Sequence, residues 1–492
     1  MASRLHKSKS EDYELAIEKL NTLQSNFSLL KLARKQKKAN PEAKLKDMRN
    51  FLQRCDITKQ QADSLPIIHV SGTQGKGSTC AMIESILRAR GLRTGFFSSP
   101  HLIEVRERIR LDGEPLSFSA FTHHFWSCYN RLIKTMDEHN PQMPFYFAFL
   151  TLMSLDVFIS ERPDVCIIEV GIGGEYDCTN IFTNPRVCGV TSLGYDHTDI
   201  LGESLDEIAW NKAGIFKSGT PCYVQSCSPS VHQVFLEKAK ERGVKELYLI
   251  PALSPYGLPR IPKLSLQGEF QLKNAALAVQ IAKRFISQRE KRQVQMGSMR
   301  LLEECTLSLD DITSEVEEGL QNTKWPGRAQ VIEKSVPNWK RVVFYLDGAH
   351  TPQALQCAVE WFIQARRSQE RTSTCKKGIV LNLTGNRDHT LFLEKIRDLE
   401  VEHVFFCPNI AYSKPNTAPD TASAIASSEQ QLIRCKELQR EWNELTGVDL
   451  SQSVSNFSEV YESLSGSEEG REYHILVTGS LYLVSAALQF LS

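Results

Sequence analysis

The sequence predicts an α/β protein built on two sheets, the first of them parallel and carrying a phosphate-binding turn. Three observations lead there. From Leu65 onward, short β-branched runs alternate with amphipathic helical patterns, which is how a parallel sheet wound by helices reads. One run, Ile67-Ile68-His69-Val70, passes directly into a glycine-rich turn and then a helix. A second series of runs begins after Trp325-Pro326-Gly327, and 492 residues exceed what one hydrophobic core normally supports.

Taken in order, Tyr13 to Arg54 carries Leu20, Leu23, Leu29, Leu30 and Leu32 among many charges, a helical lead-in whose basic stretch Arg34 to Lys38 reads as solvated surface. The first sheet is expected from Ile67–Ser71, Thr94–Ser98, Val165–Val170, Val187–Thr191 and Cys222–Gln225. The second is expected from Val342–Leu346, Gly378–Leu383, His403–Cys407 and Ile475–Thr478, with a helix over Pro352–Ala365. Between them, Gln288–Arg300 is polar and poorly periodic, and the hinge falls within Trp325–Trp339, giving domains 1–330 and 331–492. Ala411–Ser428 and Ser465–Arg471 read as polar surface loops.

Composition narrows the function. Lys plus Arg and Asp plus Glu both number 58, a balance that argues against a nucleic-acid binder held by phosphate contacts. Hydrophobic residues at 41% and charged residues at 24% predict a chain that folds. Thirteen cysteines without a CxxC pair predict reduced thiols in a cytosol-like compartment. No apolar run reaches the roughly 18 residues of a membrane span, and Met1–Ser10 lacks a signal core, so a cytoplasmic protein is expected, with room for a longer mitochondrial form.

The turn Ser71-Gly72-Thr73-Gln74-Gly75-Lys76-Gly77-Ser78-Thr79 has the makings of a P-loop: glycines let amide N–H groups converge on an anion, the helix start adds positive potential, and Lys76 reaches outer phosphates. It departs from the common pattern, with Val70 in place of the first glycine and Gly77 between Lys76 and Ser78. Glu169 ends the apolar run Val165-Cys166-Ile167-Ile168, at the strand end where ligands bind in α/β sheets; it answers to a magnesium ion or to loop N–H groups. His197 follows the next strand as a ligand, a base or a hydrogen-bonded residue. Lys212 closes a helix, where a lysine ordinarily offsets the macrodipole.

Several ordered strings then agree with one family: Leu20 to Gln24, His69 to Thr79, Thr94 to Leu102, Arg106 to Ile109, Phe149 to Met153, Glu169 to Gly174, Asp196 to Thr198, Lys212 to Ile215, Asn274 to Ala278, Trp325 to Arg328, Asp347 to His350 and Thr384 to Asp388. From about Tyr13 to its end the chain resembles folylpolyglutamate synthases of the Mur ligase superfamily, the eukaryotic members above all. The resemblance implies a P-loop-type domain followed by a smaller Rossmann-like α/β domain. It implies nucleotide binding by Gly72, Thr73, Gly75, Lys76, Gly77, Ser78, Asn274, Arg328 and Asp347, and magnesium ligation by Ser99, Glu169, His197 and Lys212, the lysine as a carbamate serving a second ion. Lys76, Lys212, His350 and Asp347 are the catalytic candidates, the last two either positioning or deprotonating an amine or only binding nucleotide and glutamate. Phe270 stands where many relatives have histidine, so it is assigned no polar role, and Gln271 is a subsidiary candidate.

The expected reaction is ATP-dependent addition of L-glutamate to folate or tetrahydrofolate. A carboxylate lacks a leaving group, so activation as an acyl phosphate is expected, with two Mg2+ ions and a monovalent cation as cofactors and a monomer as the working form. Pterin contacts are expected from Ser99–Arg108 and Phe145-Tyr146-Phe147. Dihydrofolate synthesis uses the same motifs and is the nearest alternative. A silent nucleotide-binding regulator would not need Glu169, His197 and Lys212 together, and Gly171-Ile172-Gly173-Gly174 lacks dehydrogenase spacing.

Overall fold

A computed structural model describes residues 11–24, 42–138, 141–253, 262–290, 300–334, 341–369, 375–383, 389–412, 427–447, 450–465 and 472–491. The basic stretch 34–38, the string 384–388, most of 288–300 and of 411–428, and nearly all of 465–471 lie outside the described residues. The chain divides into two compact units. Unit 1 is Met1–His101, Arg106–Ser265 and Gln271–Lys324; unit 2 is Leu102–Val105, Leu266–Phe270 and Trp325–Ser492.

The fold is α/β, as the alternation of patterns predicts. Among the described residues of unit 1, nine strands follow one another along the chain: β1 Ile67–Ser71, β2 Thr94–Phe97, β3 Ile109–Leu111, β4 Glu114–Pro115, β5 Val165–Glu169, β6 Val187–Val190, β7 Cys222–Gln225, β8 Glu246–Ile250 and β9 Arg300–Glu304. They form one sheet in the order β4-β3-β2-β5-β1-β6-β7-β8-β9. All pairs are parallel except β2 with β3 and β3 with β4. β1 lies between β5 and β6, and every one of its residues is buried, including His69 and Ser71.

Unit 2 holds β10 Gln330–Lys334, β11 Arg341–Leu346, β12 Cys375–Leu381, β13 His403–Phe406, β14 Ser451–Ser453 and β15 Glu472–Thr478 in the order β10-β11-β15-β12-β13-β14. Only β10 is antiparallel. Successive residues of β11 divide between two apolar clusters: Val343 and Tyr345 join Trp361, Phe362 and Phe392 on one face, while Val342, Phe344 and Leu346 join Phe457, Leu483 and Val484 on the other. Period-two side chains on a strand covered from both sides produce this division, and each large aliphatic or aromatic side chain so buried contributes about 1.5–3 kcal/mol.

All thirteen cysteines are free thiols. Among the described residues no helix is long and apolar enough to cross a membrane.

Candidate functional site

Register decides what surrounds the glycine-rich turn. Val70 pairs with Glu169 and Ser71 with Val190, so the carboxyl ends of three parallel strands finish level and the turn from Gly72 emerges between Glu169 on one side and Thr191 on the other. Gly72 has φ +140°, and a Cβ there would lie 1.8 Å from Thr191 Oγ1; Gly75 has φ +82°, and its Cβ would lie 2.2 Å from Asn274 Oδ1. Neither position admits a side chain. The N–H groups of Thr73 and Gln74 donate to the Ser192 carbonyl at 3.0 and 3.1 Å, and the Thr73 hydroxyl donates to Gly194 O at 3.2 Å. The helix that follows, α1, Lys76–Ala89, has no side-chain cap at its N-terminus.

Glu169 is buried at the end of β5 and accepts a hydrogen bond from the Ser99 N–H at 3.2 Å. Lys212 ends α2, Leu205–Lys212, a helix started by a capping box between Ser204 and Glu207. It is 3% exposed rather than a solvated helix-end lysine. Its Nζ donates to Gly72 O at 2.8 Å, and its own carbonyl accepts from the Ser71 hydroxyl at 2.8 Å, so both ends of the residue are tied to the turn. Burial first, then the nearby Lys76 ammonium, push the Lys212 amine down to about 7, against the pull of Asp196 and Asp177.

Close backbone packing sets that burial. A Cβ on Gly214 would come within 2.3 Å of Glu175 Cα, and the Glu175 N–H donates to Asn211 O at 2.7 Å. The Glu175 carboxylate in turn holds Lys238, at 3.1 Å, and Arg242, both next to or within α3, Pro229–Glu241; the buried Lys238 ammonium lies 3.8 Å from the centre of the Trp210 ring. His197, with φ +53°, has its imidazole 41% exposed and 3.7 Å from Asp196. Among the described residues no three His, Cys, Asp or Glu side chains gather as a ready-made metal cage.

Asn274 and Gln271 lie on α4, Phe270–Arg289, and belong to unit 1. The Asn274 amide donates to Gln271 Oε1 at 2.8 Å, which gives Gln271 a part in orienting its neighbour. Phe270 packs against an apolar cluster of unit 2, in keeping with its lack of a polar role. Of the segments expected to meet a pterin, Arg108 donates to His101 Nδ1 at 2.9 Å and lies 5.2 Å from the Tyr146 ring.

Arg328, Asp347 and His350 belong to unit 2; Arg328 lies just before β10, and Asp347 and His350 follow the end of β11. Asp347 is buried; desolvation raises its carboxyl, opposed by Arg328 and by the Ala329 N–H, which donates to it at 2.8 Å. His350 Nδ1 faces Gly348 O at 3.3 Å.

Sequence reading passed over three contributors. Asp177 accepts from Ile172 N at 3.0 Å and from Thr179, and so shapes the loop after Glu169. Ser192 holds the turn's first amides. Gln225 closes β7 beside Ser192 and Asn274. Neither Asp177, within the glycine-rich loop after Glu169, nor Gln225, the last residue of β7, leaves a local signal of its part in the sequence.

A scan of protein-family models returns no match. The chain is 42% identical over 443 residues to the folylpolyglutamate synthase, mitochondrial, of Bos taurus, covering 88% of this chain and 74% of that one. Its fold is similar to that of Mycobacterium tuberculosis folylpolyglutamate synthase complexed with ADP, with a TM-score of 0.72 at 22% identity over 98% of each chain. A solved FPGS-AMPPCP-folate complex matches with a TM-score of 0.68 at 22% identity, over 97% of this chain and 99% of that one. By sequence relationship across most of its length, the chain belongs to the folylpolyglutamate synthase family.

Proposed function

We propose that the chain activates the γ-carboxylate of a folate tail as an acyl phosphate before L-glutamate attacks it. At the coarser level, family membership makes the protein an ATP-dependent ligase that adds glutamate to folate. The observation that supports the finer reading is the buried Lys212 amine on Gly72 O, at the foot of the phosphate turn.

In the first step a carboxylate oxygen attacks the γ-phosphorus of ATP, the bond to the bridging oxygen breaks, and ADP leaves. In the second, the neutral amine of glutamate attacks the acyl carbon, and phosphate departs as the tetrahedral intermediate collapses. Lys76 and the amides at the start of α1 would stabilise negative charge on the phosphoryl group. Asp347 and His350 would position the glutamate amine or accept its proton.

The donor set suits magnesium. Glu169 is a buried carboxylate, Ser99 a hydroxyl, and Lys212 an amine whose pKa, brought down to about 7, leaves a neutral fraction able to add carbon dioxide and become an anionic carbamate. With His197 these residues would hold two Mg2+ ions, which when bound supply positive charge at the phosphate oxygens. A monovalent cation, a monomeric working state and a chain without nucleic-acid partners complete the proposal. A mitochondrial form is proposed from the relative's name, and a cytoplasmic one from the free thiols. Lys76→Ala tests the phosphate turn: labelled-glutamate incorporation should fall by roughly 10²–10³-fold with the melting temperature retained. Near-normal incorporation overturns the assignment.

A further inference from the structure

Gln225, at the carboxyl end of β7, is 5% exposed and belongs to none of the motifs that mark the phosphate turn. Its side-chain oxygen accepts a hydrogen bond from the Ser192 hydroxyl, and its Nε2 faces Asn274 Oδ1 at a long 3.4 Å. Ser192 is the residue whose carbonyl holds the N–H groups of Thr73 and Gln74. Asn274 is the residue that presses on Gly75, and its own amide donates to Gln271, whose Nε2 lies 3.5 Å from the Ser78 hydroxyl.

These contacts form a circuit. It leaves the turn at Thr73 and Gln74, passes through Ser192, Gln225, Asn274 and Gln271, and returns at Ser78. Gln225 is the link at which the two halves meet: one neighbour presents a donor and the other an acceptor, and a primary amide is the side chain that answers both at once. Gln225, Asn274, Gln271 and Ser78 are all buried, so water does not readily replace a lost partner.

We propose that Gln225 is a positioning residue for ATP, fixing the phosphate turn through Ser192 and Asn274 without itself touching the nucleotide. The inference rests on the reading of Gly72–Ser78 as the phosphate site. Preorganised amides bind an anion without first being ordered, so loosening the circuit weakens nucleotide binding while leaving the folate and glutamate contacts alone.

The experiment is steady-state kinetics on Gln225→Met, Ser192→Ala and the double variant, with ADP affinity measured calorimetrically. Gln225→Met keeps the length and loses both polar atoms. The KM for ATP and the Kd for ADP should rise about 5- to 100-fold, as for a buried group deprived of its partner, with kcat and the KM values for folate and glutamate within about twofold. Ser192→Ala should raise the same two constants, and the double variant should fall short of the product of the single effects because both remove one hydrogen bond. Should Gln225→Met fail to fold, Ser192→Ala carries the test. Unchanged ATP and ADP constants, or equal rises in all three KM values with a lowered melting temperature, overturn the proposal. Lys76→Ala separates the two readings: if it is impaired while Gln225→Met is normal, only the positioning role fails, whereas a normal Lys76→Ala removes the phosphate site and this inference with it.

Discussion

Two buried cations, one in each unit, sit in opposite company. Arg341, the first residue of β11, pairs with Glu472 at 2.5 Å and Glu333 at 2.8 Å, and these carboxylates raise its pKa above the ordinary arginine value. Glu472 also accepts from His474 Nε2 at 3.0 Å, and the His474 Nδ1 meets the Tyr345 hydroxyl at 2.8 Å. Lys212 instead donates to a carbonyl and is pushed down to about 7. The arginine network starts at the amino ends of β11 and β15, whereas the lysine lies at the carboxyl ends of β1, β5 and β6, the side on which open α/β sheets bind ligands. Burial of charge is common to both; the difference lies in whether the partner cancels it. A cancelled charge is scaffold, and one held at a backbone carbonyl, with carboxylates acting only from further off, is available for chemistry.

The largest test of that contrast is Arg341→Met, which strands Glu472 without its cation. The unfolding free energy from denaturant titration should fall by about 3–5 kcal/mol, and adding Glu472→Met should recover most of it. A loss under about 1 kcal/mol would show that the network carries little, since a buried pair broken on one side should not be so cheap. Next comes Lys212→Met, for which glutamate incorporation should drop by at least about 100-fold, while stability holds or rises because a poorly solvated amine has been replaced by an apolar chain. Retained activity with clear destabilisation would make Lys212 scaffold after all.

A third test, small near neutral pH, extends the comparison to a neutral buried group. Burial, with a smaller contribution from Lys217, pushes His69 down to about 3, and its Nε2 lies 2.9 Å from Thr179 Oγ1. Below an ordinary imidazole value of about 6.5 the unfolded chain takes up a proton that the folded one refuses until near pH 3. The His69 contribution is therefore complete above pH 6.5 and drains as pH falls, by up to about 1.4 kcal/mol per pH unit. His69→Gln should flatten the stability profile by one proton in that window, and an unaltered slope would mean the imidazole titrates normally.

Legibility in the sequence followed burial. β1, β5, β6 and β7 are mostly apolar and wholly buried inside a sheet, and their positions could be read to within a residue or two. The strands that escaped notice lie toward the sheet edges: β3 and β4 are three and two residues long, β8 and β10 are only partly buried, β9 is charged and carries Leu302 at φ +60°, and β14 is all polar. Edge strands bury less, so their patterns are weaker. At the site, the glycine turn and Glu169 announce themselves locally. The burial of Lys212 does not, because it depends on Gly214 admitting the backbone of Glu175, some forty residues earlier in the chain. Gln225 was illegible for the same reason, its partners coming from two other stretches.

The interleaving of the units constrains how the protein can be taken apart. Leu102 belongs to the apolar cluster around Phe344 and Val484, and Phe270 packs on the one around Tyr345 and Trp361, although both precede Trp325 by many residues. A fragment begun at Trp325 would thus leave behind two of its own plugs and bare greasy sockets to solvent. Dissecting this enzyme for separate expression calls for grafting those short pieces back, or for leaving the polypeptide whole.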